Sequence, residues 1–187
     1  MKISTNRKEL IELDACSAGF DVFVCAHGDK DAKFSECLKS NGWDDTWWLI
    51  TEVYSQLSIK QTIDLHLLGC DWAESVLCSF ESEYPDDNRP RLAIEAKRRF
   101  LAGEITELEL SYASSASWSA ACSASWSAES SKSAASSAAW SASWSAESSK
   151  SAVWSTARAA MAASSARAAA SSAQKDDLMN LFLSWEK

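Results

Sequence analysis

The feature that most constrains this chain is a tract of serine and alanine between residues 111 and 173. Its 63 residues contain 24 serines, 23 alanines and five tryptophans, but no proline or glycine. Disordered segments are usually poor in aromatic residues and often rich in proline or glycine, which argues against disorder here. Alanine is the best helix former and serine is only mildly unfavourable. The composition therefore predicts that the tract is helical.

The tract also contains an internal repeat that matches a helical period. The phrase SASWSAESSKSA occurs at 123–134 and again at 141–152, an offset of 18 residues. Eighteen residues are about five turns of α-helix, so the repeat would keep each side chain in the same direction. At 100° per residue, the five tryptophans fall within an arc of about 80°. These residues, which we call the tryptophan stripe, are Trp118, Trp126, Trp140, Trp144 and Trp154.

Two carboxylates complicate the interpretation of this stripe. Glu129 and Glu147 fall inside the same arc, and a fully dry interface would not accept unpaired carboxylates. The stripe is therefore either a packed seam between helices or a partly open binding face. A continuous helix of this length would extend about 95 Å. We expect two or three helices instead, with turns near 129–132 or 147–150.

The rest of the sequence also favours helices, so we predict an all-α, multi-helix bundle. A first helix is expected over 6–18, and a longer one over 58–83. Capping boxes are predicted at Ser58–Gln61 and at 106–109. A second helix is expected over 19–26, although VFVC at 22–25 is a short strand-like fragment within it. By composition we divide the chain into an acidic part, 1–103, and a Ser/Ala/Trp-rich part, 104–187, packed together as one domain.

The distribution of charge indicates which partners to expect. The net charge is −8, and residues 1–110 hold 21 acidic and 12 basic side chains. This acidic surface disfavours nucleic acid and favours a basic protein partner. No run of 18 apolar residues and no signal peptide are evident, so we expect no membrane span and a cytoplasmic protein.

A polar turn before the helix predicted over 91–101 is the densest polar cluster of the sequence. It reads PDDNRPR at 85–91, followed by Glu95. In the structural interpretation Asp87 caps the helix, Pro90 suits its first turn, and Arg89 or Arg91 pairs with Asp71, Glu74 or Glu95. Alternatively, the turn is a contact point for a ligand or partner. A metal site built from Asp71, Glu74, Asp86 and Asp87 would have no familiar spacing.

No catalytic motif is present in the chain. The six cysteines form no C-x-x-C pair, and the two histidines have no nucleophile in a recognisable pattern. Neither a G-x-S-x-G sequence nor a phosphate-binding glycine loop occurs. We therefore expect a non-enzymatic protein that needs no metal or cofactor.

The segment 65–105 resembles the Imm-5-like group of immunity proteins, which occur in bacterial and phage genomes. That family combines a helix with a turn and helix of the form D-x-R-P-R-x-A-I-E-A-x-R, then G-E-I and an alanine-rich helical tract. The matching residues here are Asp87, Arg89, Pro90, Arg91, Ala93, Ile94, Glu95, Ala96, Arg98, Gly103 and Glu104. The resemblance implies neutralisation of a toxin or effector by binding, and it brings no catalytic residues.

Three functions remain open at this point. The first is an inhibitor that binds a protein, of the immunity or phage counter-defence type, acting in a bacterial or phage-infected cytoplasm. The second is a small-ligand binder that sequesters a nucleotide-like signal, with tryptophans stacking the base and Arg89 or Arg91 holding a phosphate. The third is an assembly protein that forms homo-oligomers through the tryptophan stripe.

Overall fold

A computed structural model describes the backbone of residues 2–125, 130–146, 152–163 and 167–187. The predicted all-α fold is confirmed in these ranges, where a pair of two-residue strands is added to the helices. Contacts between Cα atoms divide the chain into two compact units. One unit is Met1–Thr62 with Lys175–Lys187, and the other is Ile63–Gln174. The boundary predicted near residue 103 rests on a change in amino-acid composition, and it stays a prediction.

The first unit combines short helices with a small antiparallel sheet. Its elements are β1 (Ser4–Thr5), α1 (Arg7–Glu12), α2 (Ser17–His27), β2 (Ala32–Lys33), α3 (Phe34–Ser40), α4 (Gly42–Glu52), a 3-10 turn (Tyr54–Gln56), the beginning of α5 (Ile59–Ser75) and the end of α11 (Arg167–Trp185). Ser4 pairs with Lys33 and Thr5 with Ala32. Large apolar side chains fill the core: the rings of Phe34 and Phe182 lie 5.7 Å apart.

One expectation for the first unit is wrong and another is confirmed. The helix predicted over 6–18 is interrupted, because Asp14 adopts a left-handed conformation with φ of 56°. The amide of Ala15 then donates to the carbonyl of Leu10, which closes α1. The helix predicted over 19–26 is confirmed as α2, which includes the fragment VFVC and buries Phe23.

The second unit contains the remaining helices. These are the rest of α5, α6 (Cys78–Glu81), α7 (Arg89–Leu101), α8 (Glu107–Ser125), α9 (Ser130–Ser145), α10 (Ala152–Ala163) and the start of α11. The helix predicted over 58–83 is broken near Val76, whose amide bonds back only three residues to Ala73. Both capping boxes are confirmed: Ser58 with Gln61, and Thr106 with Glu109.

The serine and alanine tract is helical wherever it is described, but it is divided among α8 to α11. The hydroxyl of Ser114 donates to the carbonyl of Ser143, and Ser143 reciprocates, each at 3.3 Å. Ser117 donates to the carbonyl of Ala139 at 3.1 Å. The partner numbers fall as the donor numbers rise, so α8 and α9 run antiparallel. Counting one helical angle from Trp118 through to Trp144 is therefore wrong across that junction.

The positions of the expected turns can be compared in part. Residues 130–132 form the beginning of α9 rather than a turn. The alternative turn at 147–150 lies outside the described residues. Each copy of the twelve-residue repeat begins inside one helix, α8 or α9, and ends in the next. The repeat thus accompanies the passage from helix to helix. Of the helices that the structure describes, none combines the length and the apolar character needed to span a bilayer.

Candidate functional site

Three tryptophans of the stripe meet between α8 and α9. The rings of Trp118 and Trp140 lie edge to face with centroids 5.7 Å apart. Trp140 and Trp144, one helical turn apart on α9, stack at 6.3 Å. We call these three residues the tryptophan cluster. The antiparallel packing brings them together, because Trp118 lies one residue beyond Ser117, which bonds to Ala139.

The tryptophan cluster is open to solvent at one end. Trp118 is 53% exposed, while Trp140 and Trp144 are half-buried. An exposed ring supported by two further rings offers a rigid apolar surface with indole N–H groups for hydrogen bonding. The cluster can therefore anchor another apolar surface, which is how tryptophan commonly contributes to protein interfaces.

The other predicted members of the stripe cannot be compared with the structure. Trp126, Glu129 and Glu147 lie outside the described residues, and the side chain of Trp154 on α10 is likewise outside them. Their membership of a binding face stays a prediction.

The PDDNRPR turn forms a local ion pair at the beginning of α7. The Asp87 carboxylate accepts two hydrogen bonds from the Arg89 guanidinium, at 2.8 and 2.6 Å. It also accepts a third from the backbone N–H of Arg89, at 3.1 Å. The guanidinium hydrogen bond, more than any other effect, lowers the pKa of Asp87. The N-cap residue of α7 is Asn88, whose side chain makes no capping bond. Asp87 lies one residue before the N-cap and holds the turn through its bonds to Arg89.

A second set of ion pairs joins α7 to the preceding helices. Arg91 binds Glu81 through two hydrogen bonds, at 2.7 and 2.9 Å. Arg98, two turns further along α7, donates to both Asp71 and Glu74 at 2.7 Å. The hydrogen bond from Arg98 lowers the pKa of Glu74, and the same bond is the main cause that raises the pKa of Arg98.

These pairs decide what the turn can do chemically. Arg89 and Arg91 are both engaged by carboxylates, so a phosphate would have to displace a bound partner. Arg91 lies 3.8 Å from Glu74, a longer contact than its pair with Glu81. Asp86 and Glu95 are exposed, and Pro90 is buried in the first turn of α7. Within the described ranges, no group of three or more metal-binding side chains is assembled.

Two polar residues that the sequence did not single out as a pair are buried in the second unit. His66 on α5 and Lys97 on α7 have almost no exposed surface. Burial, with a smaller contribution from the charge of Lys97, lowers the pKa of His66 to about 3. The Lys97 ammonium lies 5.6 Å from the centroid of the Phe100 ring. His66 is therefore a neutral side chain at neutral pH.

The sequence predicted no pairing for Glu81 or Arg98, which form ion pairs between helices in this region. A signal was available: Arg91 and Arg98 are seven residues apart, which places both on one face of α7. Asp71, Glu74 and Glu81 are spaced at three and seven residues on the preceding segment. Matching these two patterns would have paired the correct residues.

A comparison with protein families gives one match to this part of the chain. The family described as "Imm-5 like putative immunity protein" matches residues 55–163, which is more than half of the chain. The matched region includes the PDDNRPR turn, the ion pairs of α7 and the tryptophan cluster. Comparison with curated proteins and with solved structures produced no match.

Proposed function

Because the chain belongs to the Imm-5-like family of immunity proteins, we propose that it acts stoichiometrically, by binding a toxin or defence-effector protein and neutralising it. The protein would work without turnover, cofactor or metal. Its place of action would be the cytoplasm of a bacterium or of a phage-infected host.

The tryptophan cluster is the observation that carries this proposal. Trp118 exposes 53% of its surface while Trp140 supports it edge to face at 5.7 Å. Leaving such a ring in water forgoes the free energy of its burial, which a partner surface would recover. Rigid tryptophans of this kind dominate the energetics of many interfaces. We propose that Trp126, Trp154, Glu129 and Glu147 extend the same contact face.

The charge of the chain suggests the nature of the partner. Residues 1–110 carry 21 acidic and 12 basic side chains, and such a surface accelerates encounter with a basic protein while repelling nucleic acid. The partner would then be basic around an apolar patch that receives Trp118. Raising the ionic strength should slow association more than it speeds dissociation.

Two alternatives are weaker. Sequestration of a nucleotide-like signal would require Arg89 or Arg91 to hold a phosphate, yet both guanidinium groups are bound by carboxylates at 2.6–2.9 Å. Formation of homo-oligomers through the tryptophan cluster would use the same exposed ring. The mass of the free protein in solution, measured by light scattering, distinguishes it from binding of a second protein.

The experiment is a comparison of two single substitutions on α8. Trp118→Ala removes the exposed ring of the cluster. Tyr112→Ala is the matched control, since Tyr112 is 68% exposed and lies roughly 120° away around the helix. The partner is first identified by crosslinking in the native host, then purified and titrated with each variant by calorimetry.

We expect a one-to-one complex with the wild-type protein and with Tyr112→Ala. Trp118→Ala should weaken binding by about tenfold or more, as loss of a central aromatic anchor does. Equal binding by both variants would remove the tryptophan cluster from the interface. A concentration-dependent mass in light scattering that Trp118→Ala abolishes, with no second protein bound, would replace the proposal by self-assembly.

A further inference from the structure

The first unit contains a cavity that the proposed function does not use. Its volume is about 170 Å³, and it lies among α1, α2, α3 and α4. Leu10, Phe23 and Leu49 form its buried apolar wall. Phe20 and Trp48, both half-buried, contribute aromatic rings. An apolar cavity of roughly 150 Å³ can stay dry and bind a molecule the size of benzene, so this space is large enough for one aromatic ring.

One side of the cavity carries a carboxylate that its neighbours hold in position. Asp45 lies in the first turn of α4 and lines the cavity. The side-chain amide of Asn41 donates to the Asp45 carboxylate at 3.3 Å and to the backbone carbonyl of Gly19 at 2.7 Å. Ser40 in turn donates to the side-chain oxygen of Asn41 at 2.9 Å. This chain of bonds links α2, α3 and α4 behind the carboxylate.

The glycine at position 19 is required by the placement of this carboxylate. A Cβ atom at Gly19 would lie 2.7 Å from Oδ2 of Asp45, which is closer than van der Waals contact allows. Any other residue would therefore push the carboxylate away from its position. Gly19 lines the same cavity, so the absence of a side chain keeps both the space and the charged group.

The remaining lining residues make the cavity negative. Asp14, which is exposed, is the second carboxylate, and the lining described by the structure includes no lysine, arginine or histidine. Cys37 also lines the space, and burial raises its pKa to about 12, so its thiol is neutral. A cationic group on a ligand would meet carboxylates without a competing positive side chain.

We propose that this cavity binds a small primary or secondary amine with a single aromatic ring, the ring lying against Leu10, Phe23 and Leu49 and the ammonium directed to Asp45. The site shares no residue with the tryptophan cluster, so a test of the site does not depend on the proposed immunity function.

Benzylamine is the probe that matches the cavity in size and charge, and benzyl alcohol is its neutral counterpart of the same shape. Both are titrated into the full-length protein by calorimetry, and the methyl resonances of Leu10 and Leu49 report where they bind. Asp45→Asn removes the charge at the cavity wall. Asp44→Asn is the matched control, because Asp44 occupies the same first turn of α4 but is exposed and does not line the cavity.

We expect benzylamine to bind wild-type protein and Asp44→Asn equally, with shifts at Leu10 and Leu49. Benzyl alcohol should bind about tenfold more weakly, and Asp45→Asn should weaken benzylamine by a similar factor. Equal affinity for the two probes would overturn the assignment of a cationic ligand, even if Asp45→Asn failed to fold. No binding of either probe at millimolar concentration, or shifts confined to other residues, would overturn the site itself.

Discussion

The core of the first unit and the contact between α8 and α9 hold helices together in opposite ways. In the first unit, large side chains such as Phe23, Phe34 and Ile50 fill the space and are almost fully buried. Between α8 and α9 the buried positions are small, and serine hydroxyls reach carbonyl oxygens of the facing helix. The comparison shows two ways to pack helices together. Large apolar side chains can fill the space between them, or small side chains can let the helices approach closely. Each solution fails under a different substitution.

Truncating a large residue should cost most in the first unit. Phe34 is 1% exposed and packs against Phe182, so Phe34→Ala should lower the free energy of unfolding by about 3–5 kcal/mol. Urea denaturation followed by circular dichroism measures this. Ile11→Ala, at a position that is 61% exposed, is the control and should change stability by less than about 1 kcal/mol. Similar values for both variants would contradict the assignment of Phe34 to the core.

Enlarging a small residue should be the damaging change in the second unit. Ala142 on α9 is fully buried in a cluster with Cys70, Ala73, Leu77 and Ile94. Ala142→Leu should therefore destabilise the protein by about 1–3 kcal/mol, because the helices cannot separate without losing their contacts. Ala162→Leu on the exposed side of α10 should stay within about 0.5 kcal/mol of the wild type. An unchanged free energy of unfolding in Ala142→Leu would mean that the interface can accommodate a larger side chain.

The buried histidine should make stability depend on pH in a defined window. Burial lowers the pKa of His66 to about 3 in the folded protein, against 6.5 for an unperturbed histidine. Below pH 6.5 the unfolded chain gains a proton that the folded protein does not take up. Stability is therefore complete above that pH and falls as the pH is lowered, by about 2 kcal/mol at pH 5. His66→Gln should reduce this loss between pH 6.5 and 5, and an unchanged slope would assign the loss to other groups.

Removing one hydroxyl should have the smallest effect of the four. Ser117 is buried and donates to the carbonyl of Ala139. Ser117→Ala should cost about 0.5–1 kcal/mol, since the lost hydrogen bond outweighs the better helix propensity of alanine. Ser115→Ala, at an exposed position of α8, should be neutral or slightly stabilising. Equal changes in stability at the two positions would mean that the hydrogen bond of Ser117 makes no net contribution to the free energy of unfolding.

The local features of the fold could be predicted because each depends on residues close in sequence. Ser58 and Gln61 form the predicted capping box, and the tract of serine and alanine is helical wherever it is described. The beginning of α7 was also predicted to within two residues. Residues three or four apart in a helix are neighbours in space, so short patterns carry this information.

Features that depend on distant residues could not be predicted in the same way. The left-handed Asp14 ends a helix that its sequence could have continued. Trp118 meets Trp140 only because α8 and α9 are antiparallel, and nothing near either residue specifies that pairing. The burial of Lys97 depends on packing between helices and not on its neighbours in sequence. The carboxylate at Asp45 needs a glycine 26 positions earlier.

The identical twelve-residue copies have a consequence for how the gene can change. Loss of one 18-residue period, from a position in the first copy to the same position in the second, would join α8 directly to the segment that precedes α10. Such a deletion removes α9 and with it two of the three residues of the tryptophan cluster. Because α8 and α9 run in opposite directions, α10 would then start at the wrong end of α8. Only the gain or loss of an even number of helices would leave the direction of the following helices unchanged.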